Sequence, residues 1–185
     1  MTKEEKFEQL YIAVRDKENR VYPDEIVKQL PNVPKNHPQY TEWKVRSKSA
    51  NRFINLLKTK KAKNILELGC GNGWFSNLIA NNSTAKVLGI DINKTELNQA
   101  NKIFKQHNLS FQFGDIFYIE FNHVFDIIVL NASVQYFPNF KELISRLKEL
   151  LIEGGEIHII DSPFYKNEDI LAAKKRTKEY YLNKE

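Results

Sequence analysis

Apolar residues in the first third of the chain recur at the three- and four-residue spacing of amphipathic helices. This spacing predicts a helix over residues 3 to 16, marked by Phe7, Leu10, Tyr11 and Val14. A short helix is expected over residues 23 to 30, and another over residues 39 to 60, with a proline-rich connection between them. Residues 1 to 61 are therefore predicted to form a helical extension.

From residue 62 onward, short apolar runs alternate with segments of helical period. The runs predict strands near residues 64 to 68, 85 to 91, 109 to 113, 124 to 130 and 155 to 160. The other segments predict helices near residues 74 to 81, 94 to 106, 139 to 151 and 167 to 182. Such alternation specifies an α/β fold with a doubly wound, mostly parallel sheet, whose ligand crevice lies at the carboxyl ends of the strands. The predicted domain spans residues 62 to 185.

Three alternating glycines follow the first predicted strand, at Gly69, Gly71 and Gly73. Glycine permits a positive φ and lets a ligand approach the main chain where a Cβ would collide. A helix is predicted to begin at Trp74, so its unpaired amide groups would point into the same crevice. The loop is predicted to bind a nucleotide.

An acidic residue, Asp91, ends the second predicted strand. A carboxylate there can accept hydrogen bonds from both hydroxyls of a ribose. A dinucleotide fingerprint would also need a third glycine for close helix–strand packing, and the chain has the bulky Trp74 at that position. The pattern therefore disfavours a nicotinamide-dependent oxidoreductase.

Across residues 62 to 161 the chain resembles the class I S-adenosylmethionine-dependent methyltransferases, which carry five ordered motifs. The first is an acidic residue followed by alternating glycines, here Glu67 to Gly73. The other four are similar to Leu88–Ile92, Phe113–Ile116, Phe125–Ser133 and Leu150–Ile159. The resemblance implies a Rossmann-like fold, methyltransferase activity and S-adenosyl-L-methionine as the cofactor, with no metal.

The resemblance also implies roles for single residues. Glu67 would anchor the methionyl end of the cofactor, and Asp91 would hold the ribose. Asp115 and Ile116 would contact the adenine, and the main-chain carbonyl of Asn131 would lie near the methionyl amine. The complete cofactor-binding set implied in this way is Glu67, Gly69, Cys70, Gly71, Asn72, Gly73, Asp91, Ile92, Asp115, Ile116 and Asn131.

The chain departs from parts of the family. It has Asn131-Ala-Ser-Val in place of the N-P-P-Y type motif of enzymes that methylate exocyclic amines of bases or glutamine. No cysteine lies beside that motif, as pyrimidine carbon-5 enzymes require, so a small-molecule acceptor is favoured. The family usually adds two strands after the fifth, and we expect the C-terminal strands to be missing here or a partner to cover the sheet edge.

No catalytic residue emerges from the pattern. His158 is expected to be a satisfied core histidine, and Cys70 a small apolar filler. Gln135 and Tyr136 are candidates for the acceptor pocket. The amino-terminal helices are expected to cover the cofactor as a lid. The segment that enters the domain carries Tyr40, Trp43 and Arg46, and a tyrosine or arginine there could reach the methionyl carboxylate.

The net charge of +5 is concentrated in the amino-terminal third, where the run from Lys44 to Lys63 contains no acidic residue. Such a run could bind nucleic acid, but it has few aromatic side chains for base stacking. An RNA-directed methyltransferase and a noncatalytic cofactor-binding or interaction module therefore stay as alternatives. No apolar run is long enough to span a bilayer and the amino terminus lacks a signal-peptide core, so a cytoplasmic protein of unknown oligomeric state is expected.

Overall fold

The computed structural model describes residues 3–182, and the side chains of all of these except residues 3, 4, 5, 7 and 181. The Phe7 side chain and the ends of the predicted extension and domain thus lie outside the described residues. The helices are α1 (Lys3–Lys17), α2 (Asp24–Val27), α3 (Tyr40–Leu57), α4 (Trp74–Asn81), α5 (Lys94–Ile103), α6 (Phe140–Glu149) and α7 (Ile170–Leu182). No helix in the described range is long and apolar enough to cross a membrane.

Five strands form one parallel sheet in the order β3-β2-β1-β4-β5. Their bounds are β1 (Asn64–Leu68), β2 (Lys86–Asp91), β3 (Leu109–Phe113), β4 (Phe125–Asn131) and β5 (Leu151–Ile160). The chain runs outward from β1 to β3 and then returns to the other side of β1. The strand order therefore reverses between β1 and β4, which is the point where doubly wound sheets bind their ligands. The predicted α/β fold is confirmed.

The boundary between α6 and β5 differs from the prediction. A helix was expected to continue to residue 151 and the strand to begin at residue 155, whereas α6 ends at Glu149 and β5 begins at Leu151. The reason is main-chain pairing: the Phe125 amide donates to the Leu150 carbonyl, and Phe125 lies opposite Leu151 in the sheet. A register irregularity between Phe125 and Ile127 then absorbs the extra residues of β5. Helix α5 also ends early, because Phe104 takes an extended conformation.

Each face of the sheet is covered by its own apolar cluster. On one face, Phe53, Ile54 and Leu57 of α3 pack with α4. On the other, Leu143 and Leu147 of α6 pack against the central strands. Helix α3 thus contributes to the main core, although it precedes the predicted domain boundary at residue 61, and the division of the chain at that residue stays a proposal.

Candidate functional site

A cavity of about 580 Å³ opens at the carboxyl ends of the strands, beside the point where the strand order reverses. Its floor is formed by the ends of β1, β2 and β4 and by the loops that follow β1 and β3. Its roof is formed by residues of the amino-terminal helices. The crevice expected from the strand pattern is therefore present.

The structure brings nearly all of the predicted cofactor-binding residues to this cavity. The lining members are Glu67, Gly69, Cys70, Gly71, Asn72, Asp91, Ile92, Asp115, Ile116 and Asn131. Gly73 is the exception: it lies behind the wall, where an added Cβ would come within 2.5 Å of the Phe111 ring and 2.8 Å of Ala100. Its positive φ of 76° and this close approach explain the glycine through packing of α4 on the sheet.

Gly69 is also required by the protein itself. Its φ is 75°, and an added Cβ would lie 2.5 Å from the Cβ of Ser133. The Ser133 hydroxyl donates a 2.6 Å hydrogen bond to the Leu68 carbonyl, which fixes the loop after β4 against the end of β1. The glycine therefore lets the two loops that form the cavity floor meet.

Glu67 is an ionisable residue on the central strand of the sheet, and it is only 2% exposed. Its carboxyl group accepts a hydrogen bond from the Ser76 hydroxyl of α4. Room for that hydroxyl exists because Gly89 on the neighbouring strand has no side chain; a Cβ there would lie 2.8 Å from it. Burial raises the pKa of Glu67 to about 8, so the carboxyl group is largely protonated at neutral pH.

Asp91, the last residue of β2, binds the glycine loop through its carboxylate. Its Oδ2 accepts a 2.7 Å hydrogen bond from the Gly71 amide, and its Oδ1 accepts one of 2.9 Å from the Asn93 amide. Burial raises the pKa of Asp91, while these backbone amides act in the opposite direction. The carboxylate is thus held rigidly at the cavity wall by main-chain donors.

Hydrogen bonds within the protein fix the loop after β3. Asp115 Oδ1 accepts a 3.0 Å hydrogen bond from the Phe117 amide. Arg146 of α6 donates to the carbonyls of Ile116 and Ile119, at 3.0 and 2.7 Å. Ile116 is 1% exposed and belongs to the core cluster beneath the cavity, so this part of the floor is apolar and fixed.

At the end of β4, the structure leaves an acceptor without a donor. Asn131 Oδ1 is buried and has no hydrogen-bond partner among the described residues. The next residue, Ala132, has a φ of 53°, a region that costs a residue with a Cβ about 1–3 kcal/mol. An orphaned acceptor beside a strained residue on a cavity wall indicates a binding position for a hydrogen-bond donor.

The roof is aromatic and cationic. Trp43 of α3 is 4% exposed, donates a 3.1 Å hydrogen bond from Nε1 to the Tyr22 hydroxyl, and meets Trp74 edge to face. Arg46 lies over the Trp43 ring at 5.2 Å and pairs with Glu42 at 3.0 Å. Both Trp43 and Arg46 line the cavity, and Tyr40 of the same predicted segment does not.

Helix α1 crosses the cavity mouth. The Tyr11 ring meets the Tyr136 ring edge to face at 5.7 Å, which joins the roof to the turn after β4. Glu8 Oε1 accepts hydrogen bonds of 2.8 Å from the amide and the hydroxyl of Thr95, at the start of α5. These contacts place α1 where a lid would lie.

Glu96, Tyr11 and Arg15 are among the cavity-lining residues that sequence reasoning missed. Glu96 had a readable signal, since Asn93 caps α5 and accepts from the Glu96 amide at 3.0 Å, as in a capping box. Burial and the nearby Asp91 carboxylate raise the pKa of Glu96 to about 7. Tyr11 and Arg15 had no such signal, because only the docking of α1 decides which of its faces meets the cavity.

No histidine lines the cavity, and all four lie within the described residues. His158 Nε2 is 2.9 Å from Glu156 Oε2 and the ring packs against Phe53, as expected for a satisfied histidine. Cys70 is 4% exposed, and burial followed by the Asp91 carboxylate raises the pKa of its thiol well above the ordinary value. The thiol is therefore a filler and not a nucleophile.

The basic run between Lys44 and Lys63 is partly neutralised in three dimensions. Arg46 pairs with Glu42 from the preceding turn, and Lys60 pairs with Glu156 of β5. A count of charged residues along the sequence could not show the pair of Lys60 with Glu156, since the two residues are far apart along the chain. This pairing weakens the case for a nucleic-acid surface.

Three comparisons with known proteins bear on the site. Residues 59–184 match a family model described as a methyltransferase domain. The chain is 30% identical over 124 residues to the malonyl-[acyl-carrier protein] O-methyltransferase of Acetivibrio thermocellus, covering 65% of this chain and 43% of that protein. It is 32% identical over 126 residues to the trans-aconitate 2-methyltransferase of Deinococcus radiodurans, covering 67% and 48%.

Among solved structures, the chain resembles the plantazolicin methyltransferase BpumL in complex with a triazolic desmethylPZN analog and SAH. The TM-score is 0.56 at 22% identity, covering 79% of this chain and 50% of that one. Coclaurine N-methyltransferase bound to N-methylheliamine and SAH gives a TM-score of 0.57 at 13% identity, covering 75% and 44%. The chain spans about half the length of the curated relatives it matches.

Proposed function

Because this chain belongs to the methyltransferase domain family, we propose that it binds S-adenosyl-L-methionine and transfers the methyl group to a small-molecule acceptor. The observation that carries the proposal is the cavity floor, where Glu67, Asp91 and Asn131 meet a glycine loop at the reversal of strand order.

The floor suits this cofactor on two independent grounds. The orphaned Oδ1 of Asn131 calls for a donor, which the methionyl ammonium can provide. The acidic groups of Glu67, Asp91 and Glu96 favour a ligand that carries positive charge, as a sulfonium does. When bound, the cofactor supplies an electrophilic methyl group.

The residues of this chain position the reactants and exclude water. We propose that Asp91 binds the ribose hydroxyls and that Asp115 and Ile116 hold the adenine. The main chain at Gly69 and Gly71 would abut the methionyl part, together with Cys70, Asn72 and Ile92 on the same wall, and Glu67 would anchor its cationic end. Alignment of the acceptor with the methyl carbon then accounts for most of the rate, because methyl transfer needs little covalent help.

Isothermal titration calorimetry tests the proposal directly. We expect S-adenosylhomocysteine to bind with micromolar affinity and NAD to show no binding. Tight binding of NAD with none of S-adenosylhomocysteine would overturn the assignment. Transfer of a labelled methyl group to a small-molecule extract then distinguishes an enzyme from a noncatalytic binding module.

Replacing Asp91 by alanine is expected to weaken S-adenosylhomocysteine binding by about 1–3 kcal/mol, because two ribose hydroxyls and the Gly71 amide lose their acceptor. Calorimetry measures the change. Asp126→Ala is the matched control: Asp126 also accepts two backbone amides, from Lys63 and Asn64, but at the opposite edge of the sheet. Equal affinity in the Asp91 variant and the wild type would place the ribose elsewhere.

Arg46 is the proposed partner of the methionyl carboxylate. Its guanidinium lies on the Trp43 ring and is held by Glu42, so it is oriented before a ligand arrives. Arg46→Leu should weaken S-adenosylhomocysteine binding about tenfold, roughly the value of one charge-assisted hydrogen bond. Lys44→Leu, an exposed change on the same helix, should leave the affinity as it is. Binding that drops equally in both variants would point to net charge and not to a specific contact.

A further inference from the structure

Glu96, in the first turn of α5, presents its carboxyl group to the glycine loop of the cavity. Its amide donates a 3.0 Å hydrogen bond to Asn93 Oδ1, and Asn93 Nδ2 lies 3.5 Å from Glu96 Oε2, so the side chain folds back toward the start of the helix. A Cβ added to Gly71 would lie 3.0 Å from the same Oε2. The carboxyl group therefore lies against the main chain that the cofactor is proposed to contact.

Two carboxyl groups meet at this one glycine. Asp91 approaches Gly71 from the end of β2, where its Oδ2 accepts the Gly71 amide at 2.7 Å. Glu96 approaches the α-carbon of Gly71 from α5. Both side chains line the cavity. A ligand group bound to Asp91 thus has a second carboxyl group beside it.

The fold makes little use of the Glu96 carboxyl group. The 3.5 Å contact from Asn93 Nδ2 is its only hydrogen bond among the described residues, and it lies at the limit of hydrogen-bond distance. Asp91, by contrast, accepts two main-chain amides at 2.7 and 2.9 Å. A cavity-lining carboxyl group with so few protein partners is available to a ligand.

The surroundings of Glu96 favour its protonated form. The ionisable groups that face it are a carboxylate of β2, three side chains of α1 and a thiol of the glycine loop: Asp91, Glu8, Tyr11, Arg15 and Cys70. Burial, followed by the Asp91 carboxylate, raises the pKa of Glu96 to about 7, and Arg15 opposes this rise. The pKa values of Tyr11 and Cys70 are also raised, so both stay neutral at this pH. About half of the Glu96 side chains thus carry a proton at pH 7 and can donate a hydrogen bond.

We propose that Glu96 is a second ribose-binding residue, which contacts a ribose hydroxyl of the cofactor beside Asp91. This inference rests on the proposed function. A hydroxyl has one proton to donate and accepts at its oxygen. It can therefore donate to the ionised Asp91 and accept from the protonated Glu96 at the same time, whereas it cannot donate its one proton to two carboxylates. The two acids thus hold the hydroxyl from both sides.

The first test is the pH dependence of binding. Ionised Glu96 repels Asp91 and has no proton to donate, so affinity should fall as pH rises through about 7. Glu96→Gln keeps an N–H donor at every pH. By calorimetry it should bind S-adenosylhomocysteine like the wild type at pH 6 and about five- to tenfold more tightly than the wild type at pH 8, where roughly a tenth of Glu96 is protonated. Glu67 titrates in both proteins, so its contribution cancels in the comparison.

The contact itself is tested with ligands that lack one hydroxyl. Calorimetry compares S-adenosylhomocysteine with its 2′-deoxy and 3′-deoxy forms at pH 6. Glu96→Ala should weaken binding of S-adenosylhomocysteine about tenfold, roughly the value of one hydrogen bond to a strong partner. It should weaken binding of one deoxy form twofold or less, because the hydroxyl that Glu96 contacts is already missing. An equal loss for all three ligands would overturn the inference.

Glu142→Ala is the matched control. Glu142 occupies the same position in α6 that Glu96 occupies in α5, behind an asparagine cap that accepts its amide at 3.1 Å, but its side chain is exposed. This change should leave the affinity for all three ligands as it is. The glutamine variant keeps the size of the Glu96 side chain, so the pH comparison decides the matter if Glu96→Ala folds poorly.

The outcomes separate this inference from the proposed function. Normal binding of S-adenosylhomocysteine by the wild type, with unchanged affinity in Glu96→Ala, would refute the role of Glu96 and leave the cofactor assignment standing. Parallel pH profiles of the wild type and Glu96→Gln would have the same meaning. Failure of S-adenosylhomocysteine to bind the wild type would refute both.

Discussion

Replacing Trp43 by alanine is expected to lower the free energy of unfolding by about 3–5 kcal/mol, as measured for large buried aromatic residues. For a chain of this length, that loss lowers the melting temperature by about 10 °C. The side chain is 4% exposed, packs edge to face on Trp74, and donates to the Tyr22 hydroxyl, so its removal leaves a cavity and takes one hydrogen bond from that hydroxyl. Thermal unfolding followed by circular dichroism measures the effect.

Val45→Ala is the control for this change. Val45 lies two residues further along α3 and is 58% exposed, so its truncation should alter the free energy of unfolding by no more than about 0.5 kcal/mol. The comparison also tests the division of the chain at residue 61. If Trp43→Ala weakened ligand binding and left the melting temperature unchanged, α3 would be a separately folded lid and not a part of the main core.

The floor of the site could be predicted because strand topology determines it. Glu67, Asp91 and Asn131 lie far apart in the sequence, yet each stands at the end of a parallel strand, and parallel strands bring their carboxyl ends to one edge. Apolar runs and glycines mark such strand ends locally. The local pattern and the global fold agree here, and prediction succeeds where they do.

The roof could not be predicted in the same way. Whether Arg15 faces the cavity depends on how α1 docks, and that docking rests on distant contacts such as Glu8 with Thr95 and Tyr11 with Tyr136. A helical pattern shows that a helix has an apolar face but not where that face lies. Gly73 shows a related limit, since Phe111 and Ala100 fill the space beside it that a ligand was expected to use.

The early start of β5 shows the limit of periodicity at element boundaries. Residues 150 to 152 are apolar and fit either a helix end or a strand, so the pattern alone cannot choose. The choice is made by Phe125, whose amide pairs with the Leu150 carbonyl across the sheet. Long-range pairing of this kind has no local signature.

The stability of the ligand-free protein should depend on pH through Glu67. An ordinary glutamate has a pKa of 4.5, and burial raises that of Glu67 to about 8 in the folded state. Between these values the folded protein holds a proton that the unfolded chain has released, so stability falls as pH rises through this window. The full loss, reached above about pH 8, is on the order of 5 kcal/mol.

The measurement is the free energy of unfolding by urea at pH 5.5 and at pH 8.5, in the wild type and in Glu67→Gln. The amide keeps the shape of the carboxyl group and can still pair with Ser76, but it does not titrate. The difference between the two proteins isolates Glu67 from the other ionisable groups, and we expect Glu67→Gln to be the more stable protein at pH 8.5. Glu153→Gln, an exposed change on β5, should behave as the wild type does.

Binding of a cationic ligand should reverse this penalty, because a positive charge near Glu67 favours the ionised carboxylate. S-adenosyl-L-methionine should therefore release a proton when it binds at pH 7, and calorimetry in buffers of different ionisation enthalpy measures that proton. Glu67→Gln should bind without releasing it and with lower affinity. The contrary outcome is that wild-type and Glu67→Gln protein lose stability in parallel from pH 5.5 to pH 8.5. The buried carboxyl group would then already be ionised at pH 5.5. Another contact in the folded state would have to compensate its charge.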